Sequence, residues 1–271
     1  DIAEEIARIY GYNEISDTGI RGCANGKLTD KQKFERSMND CMLALGYSQI
    51  NTYSYISPKE YDMINMPEGE IRNSIKIMNP LGEDTSLMRN TTLPSMMEIL
   101  SLNYKNRNSE AKLFEIATEY IPNGADELPT ERKNLTVGAY GNVDFYDIKG
   151  AVEETLRKLN ITGYDVEATR DEYAFHPGRT ALLTIDGKKL GVIGQIHPTV
   201  CSNYGIDTEV YVAMIDYETA YAARAEEKTY HTLPRYPSVT RDLAIICDRA
   251  LPVLSLKKAI TPAAGSLLEK R

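Results

Sequence analysis

An Asp-Gly dipeptide between two apolar runs is the feature that most restricts what this chain can fold into. Residues 180–185 and 190–196 are rich in aliphatic and β-branched side chains, and Asp186-Gly187 lies between them. Asp-Gly supports the type I′ turn, whose twist matches that of two paired antiparallel strands. The spacing therefore predicts a β-hairpin, and with it at least part of an antiparallel sheet.

Amphipathic helices are indicated at several points along the chain. The clearest begins with Thr29 and Gln32, which have the spacing of a capping box, and ends at Gly46. Its apolar positions recur every three or four residues: Phe34, Met38, Cys41, Met42 and Leu45. Further helices are predicted at residues 1–10 before Gly11, after Thr92 with Pro94 in the first turn, after the N-cap residue Asp144, and at residues 253–260.

Other segments have the composition of strands. They comprise residues 48–56, 75–78, 111–121, 135–140, 210–216 and 243–247. Long strands and hairpins occur with interspersed helices but without regular βαβ alternation. This order favours an α+β fold with a largely antiparallel sheet flanked by helices.

The composition excludes several classes of protein. The chain has 31 Lys and Arg against 39 Asp and Glu, a net charge of −8. Bulk charge therefore cannot hold nucleic acid, and any RNA contact must be local or come through a partner. Its apolar runs are far shorter than the roughly 20 residues of a membrane span, and it carries no basic-then-apolar leader, so we expect no membrane contact and a cytoplasmic location. The cysteines are widely spaced, which fits reduced thiols better than a zinc site: Cys23, Cys41, Cys201 and Cys247.

A set of motifs resembles the β subunit of bacterial phenylalanyl-tRNA synthetase. It begins with DIAEEIARIYGYNEI at residues 1–15 and ends with RYPSVTRDLAIICD at residues 235–248. Between them stand MNPLGEDTSLMRNTTLPSM, KLFEIATEY and FHPGRTALLTIDGKKLGVIGQIHP. Each motif alone is weak, but together they follow the order that this family uses and cover almost the whole chain.

The resemblance implies an arrangement of domains. Residues 1–16 would be the tail of a small DNA-binding-like module, followed by a linker to about residue 28. Residues 29–225 would be a core similar to that of class II aminoacyl-tRNA synthetases. Residues 231–271 would be the start of a ferredoxin-fold anticodon-binding domain, so that the chain is expected to be a piece of a longer protein.

The resemblance also implies that this core does not catalyse a reaction. Catalytic class II synthetases hold the phosphates of ATP with one arginine on the second signature strand and another after a glycine-rich stretch. The strand best matched here is residues 113–121, where Ile121 or a neighbour stands at the arginine position and Glu119 adds negative charge. No glycine occurs between Val210 and Arg235. We therefore assign no catalytic residue, and expect Arg89, His176 and His197 to have structural roles.

The first helix presents a candidate metal site. Asp1, Glu4 and Glu5 are spaced so that their carboxylates can approach one another, and carboxylate oxygens are the ligands that Mg²⁺ prefers. The family uses this pattern with one further upstream Asp for magnesium. The alternative is an acidic first turn that complements the helix dipole. We expect the site to be incomplete in this chain.

The helix after Thr29 matches the first class II signature, which in the family packs against neighbouring subunits. The residues suited to such an interface are Phe34, Met38, Met42 and Leu45, although the same stripe could equally face the chain's own sheet. The resemblance implies a non-catalytic subunit that associates with an ATP-binding α subunit and helps position phenylalanine tRNA in a heterotetramer. Two alternatives are a self-sufficient class II ligase and a free-standing RNA-binding domain.

Overall fold

The computed structural model describes residues 1–19, 22, 26–124, 127–225, 230, 232, 235–237, 239–265 and 268. The α-helices within these residues are α1 (Ile2–Tyr10), α2 (Asp30–Ala44), α3 (Glu60–Met63), α4 (Leu93–Lys105), α5 (Phe145–Lys158), α6 (Pro198–Asn203), α7 (Tyr217–Ala223) and α8 (Val253–Ala264). The strands are β1 (Ser48–Gln49), β2 (Tyr55–Ile56), β3 (Leu87–Met88), β4 (Ala111–Ile121), β5 (Thr130–Tyr140), β6 (Asp165–Ala168), β7 (Phe175–Ile185), β8 (Lys188–Ile196) and β9 (Val210–Asp216).

Seven strands form one sheet, in the order β1-β4-β5-β9-β8-β7-β6. Neighbouring strands are antiparallel except β1 and β4, which pair in parallel at the edge. The short strands β2 and β3 form a separate antiparallel pair. The predicted α+β class with a largely antiparallel sheet is confirmed in this architecture.

The hairpin between β7 and β8 has the predicted turn. Asp186 has φ +50° and Gly187 has φ +73°, so both turn residues adopt the left-handed conformation that a type I′ turn requires. Ile185 pairs with Lys188 across the turn. Local chemistry therefore determines where this hairpin reverses.

Helices cover both faces of the sheet because alternate strand residues point to opposite sides. Phe114 and Ala213 belong to a core that packs against α2, α5 and α7, whereas their neighbours Leu113 and Val212 belong to a second core beneath α4 and α6. On the second face the sheet is only partly covered. The open part holds the cavity described below.

The helix termini follow the predicted capping chemistry with one exception. Thr29 and Gln32 form both hydrogen bonds of the capping box, and Asp144 accepts hydrogen bonds from the first turn of α5. Gly11 ends α1 with φ +101°. Thr92 occupies the N-cap position of α4, but its side chain makes no capping hydrogen bond and points elsewhere.

Three strand predictions were wrong. Residues 48–56 form two separate pieces, β1 and β2, because each pairs with a different partner strand. Residues 75–78 make only one bridge, between Lys76 and Leu87, and Met78 is fully exposed. Residues 243–247 form no strand, and Ile246 is fully exposed: no neighbouring strand in the described part of the chain satisfies their backbone groups.

None of the helices in the described residues has the length and apolar composition of a membrane-spanning segment.

Candidate functional site: a cavity over the antiparallel sheet

A cavity of about 880 Å³ lies over the partly covered face of the sheet. Strands β4, β5, β8 and β9 supply its floor, and the segment before α4 and the segment before β7 supply its walls. Its volume is in the range of small-molecule sites in proteins. The polar side chains that line it decide which ligands it can accept.

Glu119 is a fully buried carboxylate on β4 at the edge of this cavity. Its Oε2 accepts hydrogen bonds from Nε and Nη2 of Arg132 at 3.1 and 2.7 Å. Its Oε1 accepts a hydrogen bond from the backbone N–H of Thr92 at 3.1 Å. Because Glu119 and Arg132 are direct partners in the register of β4 and β5, the sheet itself positions this ion pair.

The hydroxyl of Thr92 completes the same network. It lies 2.6 Å from Oγ1 of Thr136 on β5 and 3.4 Å from Oε1 of Glu119. This explains why Thr92 does not cap α4 through its side chain. The start of the helix, β4 and β5 are thereby joined by one buried polar cluster.

A second carboxylate on β4 binds a second arginine. Glu115 accepts hydrogen bonds from the backbone N–H and the hydroxyl of Thr52, and Nη1 of Arg89 lies 3.8 Å from its Oε2. Arg89 is 3% exposed and also donates to the carbonyl oxygen of Thr118 at 3.0 Å. Burial lowers the pKa of Arg89, while Glu115 and then Glu119 oppose that shift. Arg89 is therefore held inside the fold and does not line the cavity.

The other basic side chain among the described lining residues is also paired. Lys189 on β8 donates a hydrogen bond to Glu172 in the wall opposite. Beside them, burial and then the charge of Glu172 raise the pKa of Tyr173, which keeps its phenol protonated. Asp216 adds another carboxylate and accepts a hydrogen bond from the backbone N–H of Thr219 as the N-cap of α7.

Carboxylates outnumber cations on the cavity surface. Among its described lining residues there are two basic side chains and four acidic ones: Arg132, Lys189, Glu70, Glu119, Glu172 and Asp216. Each of the two cations is bound to a carboxylate of this chain. A triphosphate or pyrophosphate needs cations that are free to stabilise its charge, and neither basic side chain among the described lining residues lacks a carboxylate partner.

The predicted arginine position of the second signature strand is apolar. Ile121 lines the cavity, followed by Pro122. Two histidines hold local backbone turns: Nδ1 of His176 accepts a hydrogen bond from the N–H of Gly178, and Nδ1 of His197 accepts one from the N–H of Thr199 at the start of α6. Neither histidine lines the cavity.

The predicted metal ligands are not brought together. In the described residues no group of three or more His, Cys, Asp or Glu side chains is placed to hold a metal ion, and these residues include Asp1, Glu4 and Glu5. Instead Glu5 pairs with Arg8 on the same helix at 2.6 Å. The residues present therefore do not fit a magnesium site by themselves.

The apolar stripe of α2 faces the interior of this chain. Phe34 is 6% exposed, and Met38 and Met42 are completely buried in the core beneath α5 and α7. Leu45 is partly buried and packs against the same core. A partner could not contact the three buried side chains without opening this core, so it would have to contact α2 through its other face.

Sequence patterns did not reveal the partners of Glu119. Arg132 and Thr92 are 13 and 27 residues away from it along the chain. The pairing of β4 with β5 could have identified Arg132, since those two strands follow each other in the chain. The contribution of Thr92 requires the position of α4, which no local pattern contains.

The fold is similar to that of a solved aminoacyl-tRNA synthetase. The crystal structure of pyrrolysyl-tRNA synthetase from Desulfitobacterium hafniense superposes with a TM-score of 0.59 over 71% of this chain and 68% of that one. The sequence identity is 13%, so this likeness concerns the fold alone.

Sequence comparison then identifies the family. The family model of the phenylalanyl tRNA synthetase beta chain CLM domain matches residues 20–217. The phenylalanine–tRNA ligase beta subunits of Clostridium acetobutylicum and Clostridium tetani are 41% and 42% identical over 99% of this chain, and that of Listeria monocytogenes is 33% identical over 99%. The chain belongs to this beta-subunit family. It spans 34% of the length of these relatives.

Proposed function

We propose that this chain is part of a non-catalytic β subunit of phenylalanine–tRNA ligase, which scaffolds the α subunit for the ATP-dependent attachment of phenylalanine to its tRNA. The α subunit would bind ATP, and the two kinds of chain would form a heterotetramer in the cytoplasm. The relatives' names support the family, and the cavity supports the absence of catalysis.

One observation carries the non-catalytic part of this proposal. Arg132 and Lys189, the cations of the described cavity surface, are each bound to a carboxylate of the same chain. Removing one preorganised donor from an active site typically costs about 10²–10³ in rate. A site whose cations are all neutralised would retain little ability to stabilise a departing pyrophosphate.

The exposed face of α2 is the surface that we propose contacts the α subunit. Leu43 is 48% exposed on this face, beside the charged residues Arg36 and Asp40. Protein interfaces commonly combine an apolar centre with a polar rim, and an exposed leucine flanked by two charged residues fits that composition. The buried stripe of Phe34, Met38 and Met42 would support this surface from within, with Leu45 at its end.

The residue ranges 1–16, 29–225 and 231–271 remain our proposed modules of the longer protein. Magnesium binding by Asp1, Glu4 and Glu5 would require ligands beyond those three, such as the upstream Asp of the family pattern. Contact with tRNA would come mainly from other parts of the complex, because this chain carries a net charge of −8.

Co-elution with the α subunit tests the scaffold. The chain and a phenylalanine–tRNA ligase α subunit are mixed and passed over a sizing column. We expect co-elution, weakened by Leu43→Asp and unaffected by Leu102→Asp, which alters a comparably exposed leucine on α4. Separate elution of the unaltered chain would contradict the proposal.

Phenylalanine-dependent ATP–pyrophosphate exchange tests the absence of catalysis. We expect no exchange by this chain alone, and robust exchange would instead support a self-sufficient ligase. A salt-sensitive micromolar affinity of the isolated chain for tRNA would support the third alternative, a free-standing RNA-binding domain.

A further inference from the structure

The donors that converge on Glu119 are those that proteins use to bind phosphate. They are the guanidinium group of Arg132 and the N–H of Thr92 at the start of the thirteen-residue helix α4. Guanidinium groups and helix N-termini both favour oxyanions. In this chain the oxyanion that they hold is a side chain on the neighbouring strand.

We propose that Glu119 is an internal anion that occupies these donors and thereby excludes phosphate-bearing ligands from the cavity. This inference rests on the proposed non-catalytic function and names the residue that enforces it. Glu119 would act as a specificity-determining residue, because its negative charge excludes anionic ligands from the cavity.

Burial makes this occupation hard to reverse. Glu119 is 0% exposed, and both of its carboxylate oxygens accept hydrogen bonds. A phosphate that displaced it from Arg132 would leave a buried carboxylate without its cation, which is strongly unfavourable. The phosphate would also meet Glu172 and Asp216 across the cavity.

The side chain of Arg132 has the access that an alternative anion would need. It is 47% exposed, whereas the Glu119 side chain is 1% exposed. Removal of the negative charge should therefore free a reachable guanidinium rather than a buried one. Arg89 differs in this respect, because it is buried with Glu115 and remains out of reach.

Glu119→Gln is the variant that tests the inference. The amide keeps the size of the side chain and can still accept a hydrogen bond from the N–H of Thr92, while Arg132 loses its counter-charge. The control is Glu209→Gln, which changes the net charge equally. It releases Arg179 from an ion pair with an N···O distance of 2.8 Å, and neither residue lines the cavity. Thermal unfolding verifies that both variants are folded.

Binding of inorganic pyrophosphate at low salt is measured by isothermal titration calorimetry. We expect E119Q to bind pyrophosphate at least about tenfold more tightly than the unaltered chain and E209Q. Addition of Arg132→Gln to E119Q should remove that gain. A folded E119Q that binds no more tightly than E209Q would overturn the inference.

A second measurement does not depend on any variant. The unaltered chain is heated with and without pyrophosphate, and we expect no stabilisation, because a ligand stabilises the state that binds it. Stabilisation would overturn the inference. Failure of co-elution with the α subunit would leave these results unchanged, so the scaffold and the exclusion of phosphate can fail separately.

Discussion

Nη1 of Arg89 lies 3.8 Å from Oε2 of Glu115, and both side chains are almost completely removed from solvent. Glu115 also binds Thr52, and Arg89 also binds the hydroxyl of Thr52 at 2.7 Å. Thr52 lies between β1 and β2, Arg89 follows β3, and Glu115 lies on β4, so the three residues connect these segments. This buried network joins the short strands to the main sheet.

Removal of the charge of Arg89 or of Glu115 should destabilise the chain. The two losses of unfolding free energy should not be additive. Arg89→Met leaves the Glu115 carboxylate buried without a cation, at a cost of about 3–5 kcal/mol. We expect Glu115→Gln to cost less, because Arg89 keeps its carbonyl acceptors, and the double variant to cost less than the sum. Urea unfolding of all four chains measures the coupling free energy. Strict additivity would contradict the network.

Met42 and Leu43 are neighbours on α2 with opposite environments. Met42 is completely buried, whereas Leu43 is 48% exposed. We expect Met42→Ala to lower the free energy of unfolding of the isolated chain by about 2–5 kcal/mol. Leu43→Ala should change it by no more than about 0.5 kcal/mol. Comparable effects in chemical denaturation would show that α2 packs through a different face.

Gly191 and Gly150 differ in the space that surrounds them. A Cβ atom at Gly191 would lie 2.3 Å from the carbonyl oxygen of Met214 on the adjacent strand, whereas one at Gly150 in α5 would meet nothing within 4 Å. Gly191→Ala should therefore separate β8 from β9 and cost about 2–3 kcal/mol.

The matched glycine substitution in helix α5 should stabilise the chain rather than destabilise it. Gly150→Ala is expected to raise the free energy of unfolding by up to about 1 kcal/mol, because alanine loses less conformational entropy in a helix. Thermal unfolding of both variants compares them. Stabilisation by the strand substitution would be inconsistent with the close approach of the two strands.

The thiols of Cys201 and Cys247 should react at different rates. Burial raises the pKa of Cys201 to about 11, whereas Cys247 is exposed. Because the thiolate is the reactive form, about one Cys201 side chain in a thousand is ionised at pH 8, and burial restricts access further. We expect iodoacetamide to label Cys247 and spare Cys201, as read by peptide mass spectrometry.

Labelling of Cys201 should increase only as the pH rises towards 11 or when the chain unfolds. Addition of urea at pH 8 provides the control, since unfolding exposes both thiols. Equal labelling of the two cysteines in the folded chain at pH 8 would contradict the burial of Cys201.

Local patterns identified many of the elements correctly. The bounds predicted for the strands at residues 111–121 and 210–216 are those of β4 and β9, and the predicted turn at Asp186-Gly187 has both residues at positive φ. The capping box of Thr29 is also present. Each of these depends on interactions among residues close together in the chain, which a sequence displays directly.

The candidate site was only half predictable. Comparison with the class II pattern predicts Ile121 or a neighbour at the arginine position and Glu119 as an added negative charge. Its partners Thr92 and Arg132 were not identified, because they approach it only when α4 and β5 pack against β4.

By itself, the sequence determined the secondary structure that short-range chemistry controls, the α+β class, and the family. The tertiary structure decided which face of α2 is buried, why residues 48–56 divide between two sheets, and which donors Glu119 occupies. The physical reason is that turn and cap energies depend on neighbours in the chain. Burial and ion pairing depend on which distant segments come into contact.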